Sequence, residues 1–255
     1  MIVVNATING QGPFRFVLDT GSSVNSIKPE LAQTLGLKVE GGAVVDTGGR
    51  AKGSAGLVRA AELQIGDFKL AGQSFFVAPF PVAYPFQGFL GADIFKRFIV
   101  RIDFQHSLLT LTIPSAYHRA GTGVVLPIKF YDGLIPQIKA KVDGNAGWFK
   151  LDTGYNGSLT LFKKFIDERG LWLKYEPQRS DTGVRTLTEE FSNMPVAHIH
   201  ELKLGNIALS NVLTAFFNES EGSNTIFAGA IGTGVLKQFN VIIDYEQKRV
   251  ILESR

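Results

Sequence analysis

The chain repeats itself, and that repeat limits the folds open to it more than any single motif does. Residues 90–104 (LGADIFKRFIVRIDF) align without a gap to residues 231–245 (IGTGVLKQFNVIIDY), an offset of 141. Upstream, residues 63–70 (LQIGDFKL) match residues 202–209 (LKLGNIAL) at 139. Asp46-Thr47-Gly48 matches Asp181-Thr182-Gly183 at 135, and Asp19-Thr20-Gly21 matches Asp152-Thr153-Gly154 at 133. An offset that grows along the chain is what loop insertions between equivalent elements produce. Two homologous lobes follow, residues 1–113 and 124–255, joined by the polar, Gly-containing stretch 114–123.

Within each lobe the signals are mostly β. Phe14, Phe16 and Leu18 alternate with Arg15 and Val17, a period of two that ends at Asp19. Asn9-Gly10, Asp143-Gly144, Gly66-Asp67 and Gly205-Asn206 sit between apolar runs as hairpin turns. Two short helices per lobe interrupt the strands. One runs from Pro29 to a stop at Gly36, with its counterpart from about Phe162 to a stop at Gly170. The other follows Gly91 or Gly232 and should bury Ile94, Phe95 and Phe98, or Val235, Leu236 and Phe239.

Composition excludes several functions. Hydrophobic content of 45% in 255 residues is enough for a substantial core, which argues against disorder. The net charge of +3 is spread along the chain with no basic stripe, so nucleic acid is not an expected partner. The absence of cysteine excludes disulfides, thiolate catalysis and sulfur-ligated zinc. The longest apolar stretch, residues 75–89, is broken by Pro79, Pro81, Pro85 and Gln87 and is not expected to span a membrane. The N-terminus lacks the basic start and apolar core of a signal peptide and reads as a strand, as in a trimmed or mature form.

Asp-Thr-Gly occurs four times, at 19, 46, 152 and 181. A single copy is ordinary turn chemistry, so context must separate them. Asp19 and Asp152 each end a strand-like run and are each followed by a distant apolar-apolar-Gly element, Phe89-Leu90-Gly91 and Ala230-Ile231-Gly232. Once per lobe, this combination resembles the aspartic peptidases of the pepsin and retropepsin group, and the small unit is most similar to bacterial retropepsin-like domains in tandem. The resemblance covers nearly all of both lobes. It implies two β-barrel lobes with an active-site cleft between them, and a catalytic pair of Asp19 and Asp152. Thr20 and Thr153 would tie the two loops together, while Gly21 and Gly154 let the backbone approach the carboxylates. Gly91 and Gly232 would let a neighbouring strand pass close behind. Thr47, Gly48 and Gly49, with Thr182 and Gly183, fall where the family carries its flap, and they read as turns there.

Peptide hydrolysis needs this pairing for a physical reason. Two carboxyls held together cannot both ionise cheaply, so they share one proton. One then serves as base for water and the other as acid for the carbonyl. The resemblance implies an endopeptidase acting on extended peptides, without metal or organic cofactor, as a monomer. An extracytoplasmic setting is expected on the family resemblance alone. The rival reading is a peptide-binding module that keeps the fold with weak or no catalysis, and Tyr155 is its support. Where Ser22 follows Gly21 and could hydrogen-bond the outer oxygen of Asp19, the bulky Tyr155 follows Gly154. The lobe-two loop is one residue longer, counted to Gly36 and Gly170. The hydroxyl of Tyr155 or Ser158 is the available replacement for that of Ser22.

Other features carry less. His198 and His200 would share one strand face but lack a third ligand. The Gly-rich run 229–234 lacks Gly-Lys-Ser/Thr, and the repeat explains it. Ser22-Ser23 lacks a nucleophile-elbow frame. The aromatic stretch 74–86 reads either as a loop packed on its own lobe or as the wall of an apolar subsite, opposite a polar, acidic stretch 215–224 in lobe two.

Overall fold

The computed structural model describes residues 1–46, 52–78, 80, 84–119, 121–180, 184–185, 190–191, 193–218 and 226–255. In lobe one the strands are β1 (Val3–Ile8), β2 (Gln11–Leu18), β3 (Ser26–Ile27), β4 (Val39–Asp46), β5 (Lys52–Ile65), β6 (Phe68–Val77) and β7 (Gly88–Leu90). Helix α1 (Pro29–Thr34) follows β3 and α2 (Ala92–Arg97) follows β7. Strands β8 (Ile99–Asp103) and β9 (Leu108–Thr112) and a single turn at Pro114–Ala116 lead across to lobe two.

Lobe two repeats the pattern. It contains β10 (Val124–Tyr131), β11 (Ile135–Val142), β12 (Asn145–Leu151), β13 (Leu159–Phe162), α3 (Lys163–Glu168) and α4 (Leu171–Tyr175). Three two-residue strands follow, β14 (Gln178–Arg179), β15 (Val184–Arg185) and β16 (Glu190–Phe191). The chain ends through β17 (Pro195–Leu204), β18 (Ile207–Phe217), β19 (Gly229–Ile231), α5 (Thr233–Leu236), β20 (Asn240–Asp244) and β21 (Arg249–Glu253).

The barrels close by the same rule in both lobes. In lobe one the order β1-β2-β7-β3-β6-β5 returns on itself because β5 pairs with β1, Ala6–Ile8 lying against Leu63–Ile65. In lobe two β11-β12-β19-β13-β18-β17 closes where Lys141 and Val142 meet Lys203 and Leu202. Closure removes the open edges that short strands would otherwise expose. Asn9-Gly10 and Asp143-Gly144 make the expected tight turns, all four residues having positive φ as a type I′ hairpin requires.

The four expected helices fall where the sequence placed them, but lobe two has one more, α4, which restarts directly after the stop at Gly170. Ile94, Phe95, Phe98, Val235, Leu236 and Phe239 are all buried. The hairpin β8–β9 pairs through β8 with β20, so that β10, β21, β20, β8 and β9 form one antiparallel run beneath the lobes. One face of this run, including Val100, Val241, Ile243 and Val250, joins an apolar core continuous through both barrels. The opposite face carries Ile99, Ile242 and Ile251. Among the described residues no helix is long and apolar enough to cross a membrane.

Candidate active site

Strands β2 and β12 carry the two aspartates to the same place from opposite lobes. Each runs parallel to the short strand of its apolar-apolar-Gly element, Leu18 beside Leu90 and Leu151 beside Ile231. The amide of Asp19 then donates to the Leu90 carbonyl and that of Asp152 to the Ile231 carbonyl, both at 2.9 Å. Alternation sends Phe16 and Leu18, or Phe149 and Leu151, into the barrel core. The aspartates lie at the ends of these strands, where the two lobes meet.

The threonines lock the lobes together. Thr20 Oγ1 donates to the Leu151 carbonyl at 2.6 Å and accepts from the Thr153 amide at 3.0 Å. Reciprocally, Thr153 Oγ1 donates to the Leu18 carbonyl at 2.7 Å and accepts from the Thr20 amide at 3.0 Å. Both side chains are fully buried, so each of these four bonds would be costly to leave unmade. The glycines do what close approach demands. A Cβ on Gly154 would lie 2.4 Å from Asp19 Cγ, and one on Gly21 would lie 2.7 Å from Asp152 Cγ. Each carboxyl therefore rests against the glycine of the other lobe. A Cβ on Gly91 or Gly232 would strike the carbonyl oxygen of Val24 at 2.5 Å or of Gly157 at 2.3 Å. The strand behind the dyad thus passes as close as the resemblance implied.

The two carboxyls interact by a side-chain hydrogen bond. Asp19 accepts from the Gly21 amide at 2.7 Å. Its pKa is raised to about 7, first by loss of solvation in the dense protein around it and then by the charge of Asp152, with Lys150 and the Gly21 amide opposing. Asp152 is more richly supplied. Its Oδ1 accepts from the amides of Gly154 at 3.1 Å and Tyr155 at 2.9 Å, and its Oδ2 meets Lys150 Nζ at 2.9 Å. A pair of this kind can hold one proton and pass it between carboxyls.

Two expectations change in detail. Ser22 Oγ donates to the Val24 carbonyl at 2.8 Å and not to the outer oxygen of Asp19, because the tight turn brings that carbonyl within reach first. Tyr155 does not replace a hydroxyl at Asp152. Its own hydroxyl pairs with Thr160, and burial raises its pKa. What it gives Asp152 is its backbone amide. The extra residue of the longer loop lies between Tyr155 and Thr160. Ser22 and Tyr155 accept equivalent bonds from Ala92 and Thr233, while Ser26 and Thr160 pair with Phe89 and Ala230. Thr47, Gly48, Gly49, Thr182 and Gly183 lie outside the described residues. The arms of the lobe-one hairpin, β4 and β5, pair up to Asp46 and Lys52.

Sequence reasoning missed Lys150. By sequence, the run before Asp152 reads only as a strand-like run that ends at the aspartate. The repeat at an offset of 133 places Lys150 opposite Val17, and that mismatch was the available signal. It also passed over Tyr245, whose buried hydroxyl has no hydrogen-bond partner among the described residues and whose pKa is raised by burial and by the charge of Asp19. The aromatic stretch packs on its own lobe: Ala78, Phe80, Phe86 and Phe89 cluster with Val17, two residues before Asp19. His200 lies 3.2 Å from the Tyr175 hydroxyl and 3.6 Å from Asp143, while His198 is exposed. Among the described residues no group of three acidic or histidine side chains is placed to hold a metal.

Residues 4–94 match the family model described as aspartyl protease. No curated protein matches the chain. Among solved structures, a retropepsin-like aspartic protease from Rickettsia conorii is similar, with a TM-score of 0.40 and 16% identity over 54% of this chain and 97% of that one. The family match takes in Asp19, Thr20, Gly21 and Gly91, which bears out the resemblance drawn from the paired motifs. Lobe two repeats the same strand pairings around Asp152.

Proposed function

From a chain of two retropepsin-like lobes with one carboxyl each, we propose an aspartic endopeptidase that binds an extended peptide between the lobes. The observation that carries this reading is the single dyad built from both halves, each carboxyl resting against the glycine of the other lobe and both loops locked by the threonines. In the reaction, one ionised carboxyl takes a proton from water as the water oxygen bonds to the peptide carbon. The other gives its proton to the carbonyl oxygen, leaving a neutral gem-diol. Collapse of the diol breaks the C–N bond, delivers the first proton to the leaving nitrogen and returns the second to its carboxyl. Each cycle consumes one water and restores the dyad.

The active species has one proton on the pair. Because the Asp19 pKa is raised, that species persists up to about pH 7 and is lost as the pH rises further. Cleavage should therefore decline on the alkaline side near neutrality. The peptide-binding module without catalysis is less well supported, because Tyr155 points its hydroxyl at Thr160 and leaves Asp152 its backbone amide. The proposal includes monomeric action, since each chain carries both carboxyls. It also includes an extracytoplasmic setting, which rests on the resemblance alone.

Digestion of a diverse peptide library across pH 3–8 tests the reading, with Asp19→Asn and Asp152→Asn proteins and a statine-type inhibitor as controls. The expected result is cleavage that the inhibitor blocks and both substitutions abolish. Peptides that bind yet survive at every pH would favour the binding module, and cleavage undiminished in both variants would exclude the dyad.

A further inference from the structure

The dyad is symmetric in backbone and asymmetric in charge. Two residues before each aspartate the chain places a side chain on the same strand face as the carboxyl, opposite the barrel core. In lobe one this is Val17, fully buried beneath Phe86 and Phe89. In lobe two it is Lys150, beside Ala230 on one neighbouring strand and Gln137 on the other. The side chain of Lys150 is only 21% exposed and its amine reaches Asp152 Oδ2 at 2.9 Å. An ammonium so far withdrawn from water is costly unless it is paired. The carboxyl it faces is the one that already accepts two amide bonds, whereas Asp19 accepts one amide and, among the described residues, has no cation at this distance.

Resting on the peptidase reading above, we propose that Lys150 is a positioning residue that assigns the roles within the dyad. It holds Asp152 as the carboxylate that takes the proton from water, which leaves the shared proton on Asp19 as the acid for the substrate carbonyl. The bonds made and broken are those already described; what Lys150 adds is which carboxyl begins the cycle in which state. The raised pKa of Asp19 agrees with that division. A cation beside the pair also stabilises its ionised forms, so the once-protonated species should survive to lower pH than it would without Lys150.

Among the described residues, few other groups face the pair. The Met1 amine donates to Thr233 Oγ1 at 3.0 Å and lies in the field of Asp152 and of Lys237. The hydroxyl of Tyr155 lies in the field of Asp152, and that of Tyr245 in the field of Asp19. Neither tyrosine gains a charge in the acid range, where the proposal is tested, because burial raises both pKa values. Gln137 and Ala230 on the flanking strands are uncharged.

The test is a pH titration of the aspartate side-chain carboxyls by carbon NMR. The wild type is compared with Lys150→Met and Lys150→Gln, which keep most of the length and remove the charge, and with Lys150→Arg, which keeps the charge. Amide spectra report whether each variant is folded, and two neutral substitutions guard against the failure of one. Removing the cation should raise the lower of the two dyad steps by about one to three pH units, while Lys150→Arg leaves it near its wild-type position. The acid limb of the cleavage profile should move with it. A lower step at the same pH in a folded Met or Gln variant overturns the assignment. If no peptide is cleaved by the wild type, the peptidase reading fails, but the carboxyl titration still decides the role of Lys150.

Discussion

Where lobe one puts Val17, an apolar residue sealed under aromatic rings, lobe two puts Lys150 against the carboxyl itself. Next to the Asp-Thr-Gly turns a second difference runs deeper into each barrel. In lobe one Ser22 bonds the nearby Val24 carbonyl, and the buried hydroxyl of Ser26 has no partner among the described residues. In lobe two Tyr155 is long enough to reach Thr160, the residue equivalent to Ser26. The threonine bonds, the glycine contacts and the strand passing behind are nonetheless duplicated. The lesson is that the repeat preserves what positions the two carboxyls and lets what surrounds them diverge. Symmetric scaffolding with asymmetric electrostatics gives two chemically identical groups different roles.

The largest effect of substitution is expected at the carboxyls. Asp19→Asn or Asp152→Asn should each lower peptide cleavage by about 100- to 10,000-fold, since each removes a proton-transfer group. Rates on a cleaved library peptide check this, and a large loss in only one variant would mean that the lobes do not contribute jointly. Next come the glycines. Gly154→Ala would press on Asp19 and Gly21→Ala on Asp152. A displacement of about 1 Å at either carboxyl should cost roughly 100-fold in rate. Similar losses would show that the duplicated backbone matters equally on both sides.

A smaller effect is expected in stability. Because the pKa of Asp19 is raised on folding, the native state binds more protons than the unfolded chain between the ordinary carboxylate range and about 7. Stability should fall with rising pH through that window and stay lower above it. Asp19→Asn removes the liability, so denaturant unfolding should show the variant gaining on the wild type from pH 4 to 7, by on the order of a few kcal/mol at most. No such gain would mean that the carboxyl is not strained by its surroundings. The smallest effect is assigned to Tyr155→Phe. It loses only the pairing with Thr160, so stability should drop by about 1 kcal/mol. Cleavage should change less than about threefold, the expected outcome if the Tyr155 contribution to Asp152 is its amide.

Much of this was legible in the sequence because the repeat supplied an internal standard. The gap-free match of residues 90–104 to 231–245 fixed both the second helices and the strands that now pair beneath the lobes. Strand context picked Asp19 and Asp152 out of four identical tripeptides. Side-chain partners were not legible. The choice of Ser22 between Asp19 and the Val24 carbonyl depends on a turn that brings one within 2.8 Å, which spacing does not encode. Tyr155 looked obstructive because its direction was unknown, and it packs across Gly157 instead. Lys150 could have been found by reading the offset of 133 residue by residue. Strand alternation alone treats any polar residue there as solvent-facing, whereas this one turns to the carboxyl.

The central claim is that one site per chain, made by both lobes, binds the tetrahedral state of peptide hydrolysis. Calorimetric binding of a statine-type peptide to the wild type and to both Asn variants at about pH 5.5 tests it without knowledge of the natural substrate. One inhibitor should bind per chain, with a loss of at least about 100-fold in affinity in each variant, as for a ligand resembling the transition state. Equal affinity in all three proteins would contradict it.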